Sequence, residues 1–438
     1  MANFVRPDIL RSALARSSGS SFVVIGVGSA TSFVLQLLLA RTLGAQEYGS
    51  YLIVLGWMNV AALFTKIDLD AVSVRFVAGY HATKELGLLH GFLRWSERVT
   101  WGLGLLVAAL GVAALTLHDF GLAPALRDAL LAGCVLLPLT GAMIVQSGAL
   151  QGLQIVSLAL ATSQLFRPAG MLVAVLVAAF LLHGKLTAAE AIMLNLAASS
   201  LAFVIGAYRL RQAAATALAA PAAVRHREWL TVCLQLVPIT IAQLVISQQS
   251  DILVVGAMLS PTDAAHYGAA SQLASLVAIP SAAVLAVVLP RISEMHVRGA
   301  LGELQDLLNA SGKLTALAAV IPAILLALIA RPVLSLYGPT FPEIVMPMML
   351  LIVAQGISAT VGAQAGNVMV MTGRQRDASI VIGGAAILNL VMGLMLTPHF
   401  GVLGTASATL IAVLVRSAVL TWYLRTRLKL DLLAMFVR

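Results

Sequence analysis

The chain has 438 residues, is 60% hydrophobic and 10% charged, and has a mean hydropathy of +0.97. A soluble domain of this length needs far more charge to cover its surface, so a soluble enzyme is excluded. Apolar runs of about 18 or more residues recur, each long enough to cross the hydrocarbon core of a membrane as a helix.

Residues 1–20 are polar and carry Arg6, Arg11 and Arg16. The apolar run after them is too long for a signal-peptide core, so it is read as the first span. Twelve spans are predicted, at 20–41, 51–77, 100–117, 129–150, 158–182, 190–207, 230–259, 269–289, 313–330, 344–370, 378–396 and 404–423. The longest connections, 208–229 and 290–312, leave no room for a soluble catalytic domain. The expected organisation is an all-α polytopic protein: a six-helix bundle over 1–207, a cytoplasmic linker over 208–229, and a second six-helix bundle over 230–438.

Lys and Arg set the orientation. With the N-terminus inside, 20 of the 27 fall in predicted cytoplasmic segments, and only Arg41, Arg127, Lys185 and Arg331 fall outside. Both termini are therefore expected in the cytoplasm. The bias also accounts for most of the +9 net charge, so no nucleic-acid partner is implied. Trp95, Trp101, Trp229 and Trp422 lie near predicted cytoplasmic helix ends, as an interfacial belt would.

The chain reads as two copies of one pattern. Leu43-Gly44-Ala45-Gln46-Glu47-Tyr48-Gly49 returns as Met258-Leu259-Ser260-Pro261-Thr262-Asp263-Ala264-Ala265-His266-Tyr267-Gly268, and the two Tyr lie 219 residues apart in a chain of 438. The amphipathic stretch 84–97 has a counterpart in 302–308; each is expected to lie in the interface after the second span of its half. Each half spans six times and begins inside, which makes the repeats parallel.

Charged groups within spans are costly, and each is a candidate for function. The second span carries Lys66, Asp68 and Asp70, with Arg75 nearer its end. Lys66 and Asp70, four residues apart, share a helix face and can pair. They are either a neutralised structural pair, or Lys66 or Arg75 meets an anionic headgroup while Asp68 meets a coupling cation. Arg167 stands mid-span before Pro168, where proline opens the helix and frees a carbonyl. Its guanidinium either packs against carbonyls or grips phosphate in a wet cavity. Arg416 lies in the twelfth span. The seventh span carries Gln243, Ser247, Gln248 and Asp251, and its counterpart carries Ser29, Ser32 and Gln36; these polar faces either bond between helices or line a sugar-compatible cavity. Cys134 and Cys233 read as buried core residues, and the eight His show no metal-ligand spacing. No catalytic constellation appears, so no enzyme activity, cofactor or metal is expected.

The run Leu38-Leu39-Ala40-Arg41-Thr42-Leu43-Gly44-Ala45-Gln46-Glu47-Tyr48-Gly49-Ser50-Tyr51, followed by Asp70-Ala71-Val72-Ser73-Val74-Arg75-Phe76-Val77-Ala78, resembles the opening of the polysaccharide-transport flippases. These are the O-antigen and exopolysaccharide flippases of the multidrug/oligosaccharidyl-lipid/polysaccharide exporter superfamily. Asp251-Ile252-Leu253-Val254-Val255-Gly256 with Tyr267-Gly268 is similar to the start of that family's second half. One departure is Lys66-Ile67-Asp68-Leu69-Asp70, which puts a cation where the family usually has an acid.

The resemblance implies a MATE-like, V-shaped pair of bundles in the inner membrane. It implies translocation of a polyprenyl-pyrophosphate-linked oligosaccharide by alternating access, for cell-surface polysaccharide. Arg167, Arg416, Lys66 and Arg75 would meet the pyrophosphate, and Gln36, Gln243 and Gln248 the glycan. A proton or sodium ion would couple through Asp68, Asp70 or Asp251. Membrane lipids, a polysaccharide polymerase and glycosyltransferases are the further partners it implies. A cation-coupled multidrug exporter of the same superfamily is the main alternative, and a membrane glycan polymerase or ligase is a third reading.

Overall fold

The structure, a computed structural model, describes residues 7–182, 186–246, 249–298, 300–428 and 430; among them no strand occurs. Nine helical segments of the described residues are long and apolar enough to cross a membrane, ten when the bent pair Pro261–Ser275 and Ala278–Leu289 is counted as one. The expected all-helical polytopic chain is what the sequence forms.

The chain divides into two compact units, Met1–Ile241 and Ala242–Arg438. In the first, α1 (Pro7–Lys66) is interrupted at Gly44 (φ 76°, ψ 169°), so it holds the first predicted span and half of the second. The rest of the second is α2 (Leu69–Thr83). Then come α3 (Leu86–Leu117), α4 (Pro124–Gly152), α5 (Val156–Ala161), α6 (Arg167–Leu182), α7 (Ala188–Ala213) and the short α8 (Ala215–Leu218). A π-helical turn, Thr162–Phe166, joins α5 to α6. Next is α9 (His226–Ile246).

The unit boundary falls inside α9 rather than in the predicted linker 208–229. The start of α9 belongs to the first unit's core: Trp229 and Cys233 are buried with Leu69, Phe76, Tyr80 and Phe92. Trp229 is fully buried, its Nε1–H donating to Tyr80 Oη at 2.9 Å and its ring meeting Phe92 edge-on at 5.2 Å. It is therefore not part of an interfacial belt; the Tyr80 hydroxyl supplies the partner that water would supply at a membrane surface.

The predicted linker is also packed. Ala223 N–H donates to the Gly87 carbonyl at 2.9 Å, and His90 Nδ1 lies 2.7 Å from the Ala220 carbonyl. The stretch 84–97 is not a separate interfacial helix, because α3 runs unbroken from Leu86. Its apolar side (Leu86, Leu89, Leu93) is packed against the Trp229 cluster instead.

The second unit contains α10 (Gln249–Met258), α11 (Pro261–Ser275), α12 (Ala278–Val297), α13 (Leu301–Leu328), α14 (Ala330–Ser335), α15 (Val345–Ile357), α16 (Ala363–Met371), α17 (Gln375–Phe400) and α18 (Val402–Tyr423). A second π-helical turn, Ser358–Gly362, joins α15 to α16. Stretch 302–308 is the first part of α13, with Leu304 and Leu308 in a buried cluster with Ile292, Val368, Met369 and Leu420. Apolar side chains such as Leu110, Phe180, Leu325 and Leu328 are exposed on the helices, as a lipid-facing surface requires.

Candidate functional site: a charged cavity in each unit

Each unit encloses a cavity with predicted charged residues on its wall. The cavity of the first unit, about 400 Å³, is lined by Asp70 and Arg167 together with Asn59, Ser147, Gln151 and Ser163.

A break in the second predicted span positions Asp70. Helix α1 ends at Lys66, and α2 begins at Leu69 after Ile67 (φ 40°) and Asp68 (φ 58°) have taken left-handed conformations. A β-branched residue in that region is costly and persists only where the surroundings hold it. Lys66 Nζ and Asp70 Oδ2 meet across the break at 2.6 Å, the pair expected from their four-residue spacing. Each charge also suits its helix end: Lys66 lies in the last turn of α1 and Asp70 in the first turn of α2. Helix α4 holds the break from the side, since a Cβ on Gly148 would come within 2.3 Å of the Asp70 carbonyl oxygen.

Arg167 is set by the π-turn before it. Its N–H donates to the Thr162 carbonyl, five residues back. Pro168 has no N–H to offer the Gln164 carbonyl. That carbonyl abuts Gly28, whose missing Cβ would lie 2.2 Å from it. The proline thus opens the helix as expected, and the opening takes the form of a π-turn braced by α1. Among the described residues no carboxylate pairs with Arg167.

The cavity of the second unit, about 190 Å³, is lined by Asp251 and Arg416 with Gln355, Ser358, Asn389 and Thr409. Asp251 is only 6% exposed. Tyr267 Oη donates to its Oδ2 at 2.8 Å, Asn389 Nδ2 to its Oδ1 at 2.8 Å, and Thr409 Oγ1 to its Oδ2 at 3.2 Å. These partners come from three helices, α11, α17 and α18, so one carboxylate ties α10 to all of them. Arg416 Nη2 donates to Ser358 Oγ at 2.7 Å, at the start of the second π-turn. Its Nε is buried with no hydrogen-bond partner among the described residues.

The other predicted residues are placed differently. Gln36 Oε1 accepts from Tyr48 Oη at 2.7 Å, so part of its polar capacity is used within the first unit. Arg75 is exposed, 5.6 Å from the Phe76 ring, and Asp68 is buried at the helix break; neither lines a cavity described above. The Gln243 and Gln248 side chains lie outside the described residues. Among the described residues no group of His, Cys, Asp or Glu could hold a metal ion.

Tyr267, Thr409 and Ser358 were not singled out for a site. Tyr267 carried a signal, because the two Tyr of the doubled pattern do the same work: each donates its hydroxyl to a polar side chain earlier in its own unit.

The described residues thus form an all-helical, multi-pass membrane fold with a charged, polar cavity in each of two units. The chain belongs to the polysaccharide biosynthesis protein family, whose model matches residues 14–296. No curated protein sequence matches it. Among solved structures, it is similar to an inward-facing multidrug resistance MATE family transporter of the MOP superfamily (TM-score 0.74, 12% identity, 95% of this chain and 99% of that one). It is similar to the lipid II flippase MurJ in an inward closed conformation (TM-score 0.71, 14% identity, 95% and 90%). A MOP superfamily transporter from Pyrococcus furiosus matches at TM-score 0.61 and 13% identity, over 93% and 95%. The fold is thus the MATE and MurJ fold.

Proposed function

We propose that this protein is a flippase that moves a polyprenyl-pyrophosphate-linked oligosaccharide from the cytoplasmic to the outer leaflet of the inner membrane. The observation that carries the reading is the charge balance of the first cavity. Lys66 already neutralises Asp70, so Arg167 is the excess charge on a polar wall. A cavity with a net cation takes an anionic ligand, and a planar guanidinium suits phosphate oxygens. An exporter of organic cations needs the opposite sign. Asn59, Ser147, Gln151 and Ser163 supply donors and acceptors for the first sugars.

Alternating access would move residues 1–207 against 230–438, with both termini cytoplasmic as the Lys and Arg bias requires. Asp251 is the group through which a proton or sodium ion would couple. Its carboxylate accepts from the Tyr267 and Thr409 hydroxyls and the Asn389 amide, and the carboxylate with the two hydroxyl oxygens is a hard set that suits either ion. Arg416, in the same cavity, would answer that charge change. The polymerase and glycosyltransferases that consume and supply the glycan would be its partners.

Proteoliposomes carrying a labelled polyprenyl-pyrophosphate oligosaccharide test this. The label should become reachable from the opposite leaflet only when the protein and an ion gradient are present. Gradient-driven uptake of a lipophilic organic cation, with no movement of the glycolipid, would establish the exporter instead.

A further inference from the structure

A third cavity lies in the first unit, distinct from the Arg167 cavity in every lining residue. It measures about 380 Å³ and is walled by α3, α4, α7 and α8. Helices α3 and α7 each pack extensively on α4 and leave a cleft between themselves. Arg94 on α3 and Arg211 on α7 stand at one end of that cleft, with Glu97 and His90. Seven residues beyond Arg94 comes Trp101, and eight residues before Arg211 comes Phe203. The two helices run in opposite senses here, so these rings lie about 10 Å deeper, at a rise of ~1.5 Å per residue. They meet edge to face at 6.0 Å. Between mouth and rings the floor is Ala142, Val145 and Ala149 of α4.

The cleft is therefore basic at one end and mainly apolar beyond it, where the polar side chains Ser96, Thr100 and Gln146 each donate to a backbone carbonyl. The His90 ring is fixed there, since its Nδ1 is held 2.7 Å from the Ala220 carbonyl of the packed connection. The same two helices carry exposed Leu105, Leu106, Leu201 and Val204, so their outer faces are lipid-facing. A ligand that fits has an anionic head and an acyl chain. Its head meets two arginines on facing helices against one glutamate, and its chain lies over the alanine floor. The arginine end is the end that the Lys and Arg bias assigns to the cytoplasmic leaflet, whose surface is anionic. A volume near 400 Å³ is within the range of sites that enclose a small ligand or one lipid segment.

We infer that this cleft is a binding site for an anionic phospholipid, held by Arg94 and Arg211 with one chain between α3 and α7. The site is separate from the transported substrate's cavity and stands whether or not the flippase reading does. A lipid seated there would brace α3 against α7, which otherwise touch mainly through α4.

The test is native mass spectrometry of the purified full chain in detergent with defined added lipids: phosphatidylglycerol, phosphatidylcholine and undecaprenyl diphosphate. Phosphatidylglycerol should be retained in preference to phosphatidylcholine. Arg94→Gln with Arg211→Gln should weaken it roughly thirty-fold, the effect of two surface cations. Arg98→Gln with Arg209→Gln, which neutralises two exposed arginines outside the cleft, should leave it unchanged. Ala207→Trp fills the cleft without touching a charge and should also remove the bound lipid, which covers the case in which the double arginine variant does not fold. Equal loss in the Arg98 and Arg209 control would reduce the effect to general surface charge and overturn the site. Undiminished phosphatidylglycerol in the Ala207 variant, or preference for undecaprenyl diphosphate, would overturn it as well, the latter by making the cleft a substrate entrance.

Discussion

Arg167→Ala should reduce glycolipid translocation roughly a hundred-fold while leaving membrane-inserted protein at its normal level. The size follows from losing one charge-assisted, two-pronged contact to phosphate, about 2.7 kcal/mol, where each 1.4 kcal/mol is a factor of ten. Stability should be little affected. No carboxylate pairs with Arg167 among the described residues, so none is left stranded when the guanidinium goes. The π-turn that positions it depends on Pro168 and on the Gly28 contact, both untouched by the change. Arg167→Lys should recover part of the activity, because the charge remains while the planar fork is lost. Normal export by Arg167→Ala, measured as surface glycan per inserted protein, would remove Arg167 from the substrate site.

The second large effect is expected at Asp251. Asp251→Asn keeps the size of the side chain and can still accept from Tyr267 and Thr409, but it carries no exchangeable charge. Translocation should fall at least about thirty-fold, and the remaining rate should no longer respond to a proton or sodium gradient. Loss of one charge-supported interaction costs about 2 kcal/mol. The rival explanation is that Asp251 only ties four helices together. That explanation predicts near-normal, still gradient-dependent transport in Asp251→Asn and a lowered thermal midpoint in Asp251→Ala. Transport rate against gradient in the two variants separates them.

The charged residues of both cavities were legible in the sequence for one reason. A charge in the middle of an apolar run is too costly to be incidental, so Arg167, Arg416, Asp70 and Asp251 declared themselves. The Lys66–Asp70 pair was legible too, because its geometry is set by local spacing. What joins Asp251 to its partners was not. Asn389 and Thr409 lie 138 and 158 residues away, and a contact made by helix packing leaves no local pattern. The break at Ile67–Asp68 was hidden for a different reason. Neither residue type favours a left-handed backbone over a helix strongly enough to mark the interruption, and the cost is met by the packing of α4 on Asp70. Periodicity likewise showed that 84–97 was amphipathic but not what its apolar side faced. The apolar side of a core helix and that of an interfacial helix read alike, and the buried Trp229 decided between them.

Whether the Arg167 cavity carries a lipid-linked anion decides between flippase and exporter. The most direct answer is the leaflet distribution of lipid-linked oligosaccharide in cells that lack this protein. Accumulation on the cytoplasmic leaflet, with surface glycan lost and restored by the wild-type chain but not by Arg167→Ala, is the expected result. Unchanged surface glycan together with raised sensitivity to cationic drugs would contradict it.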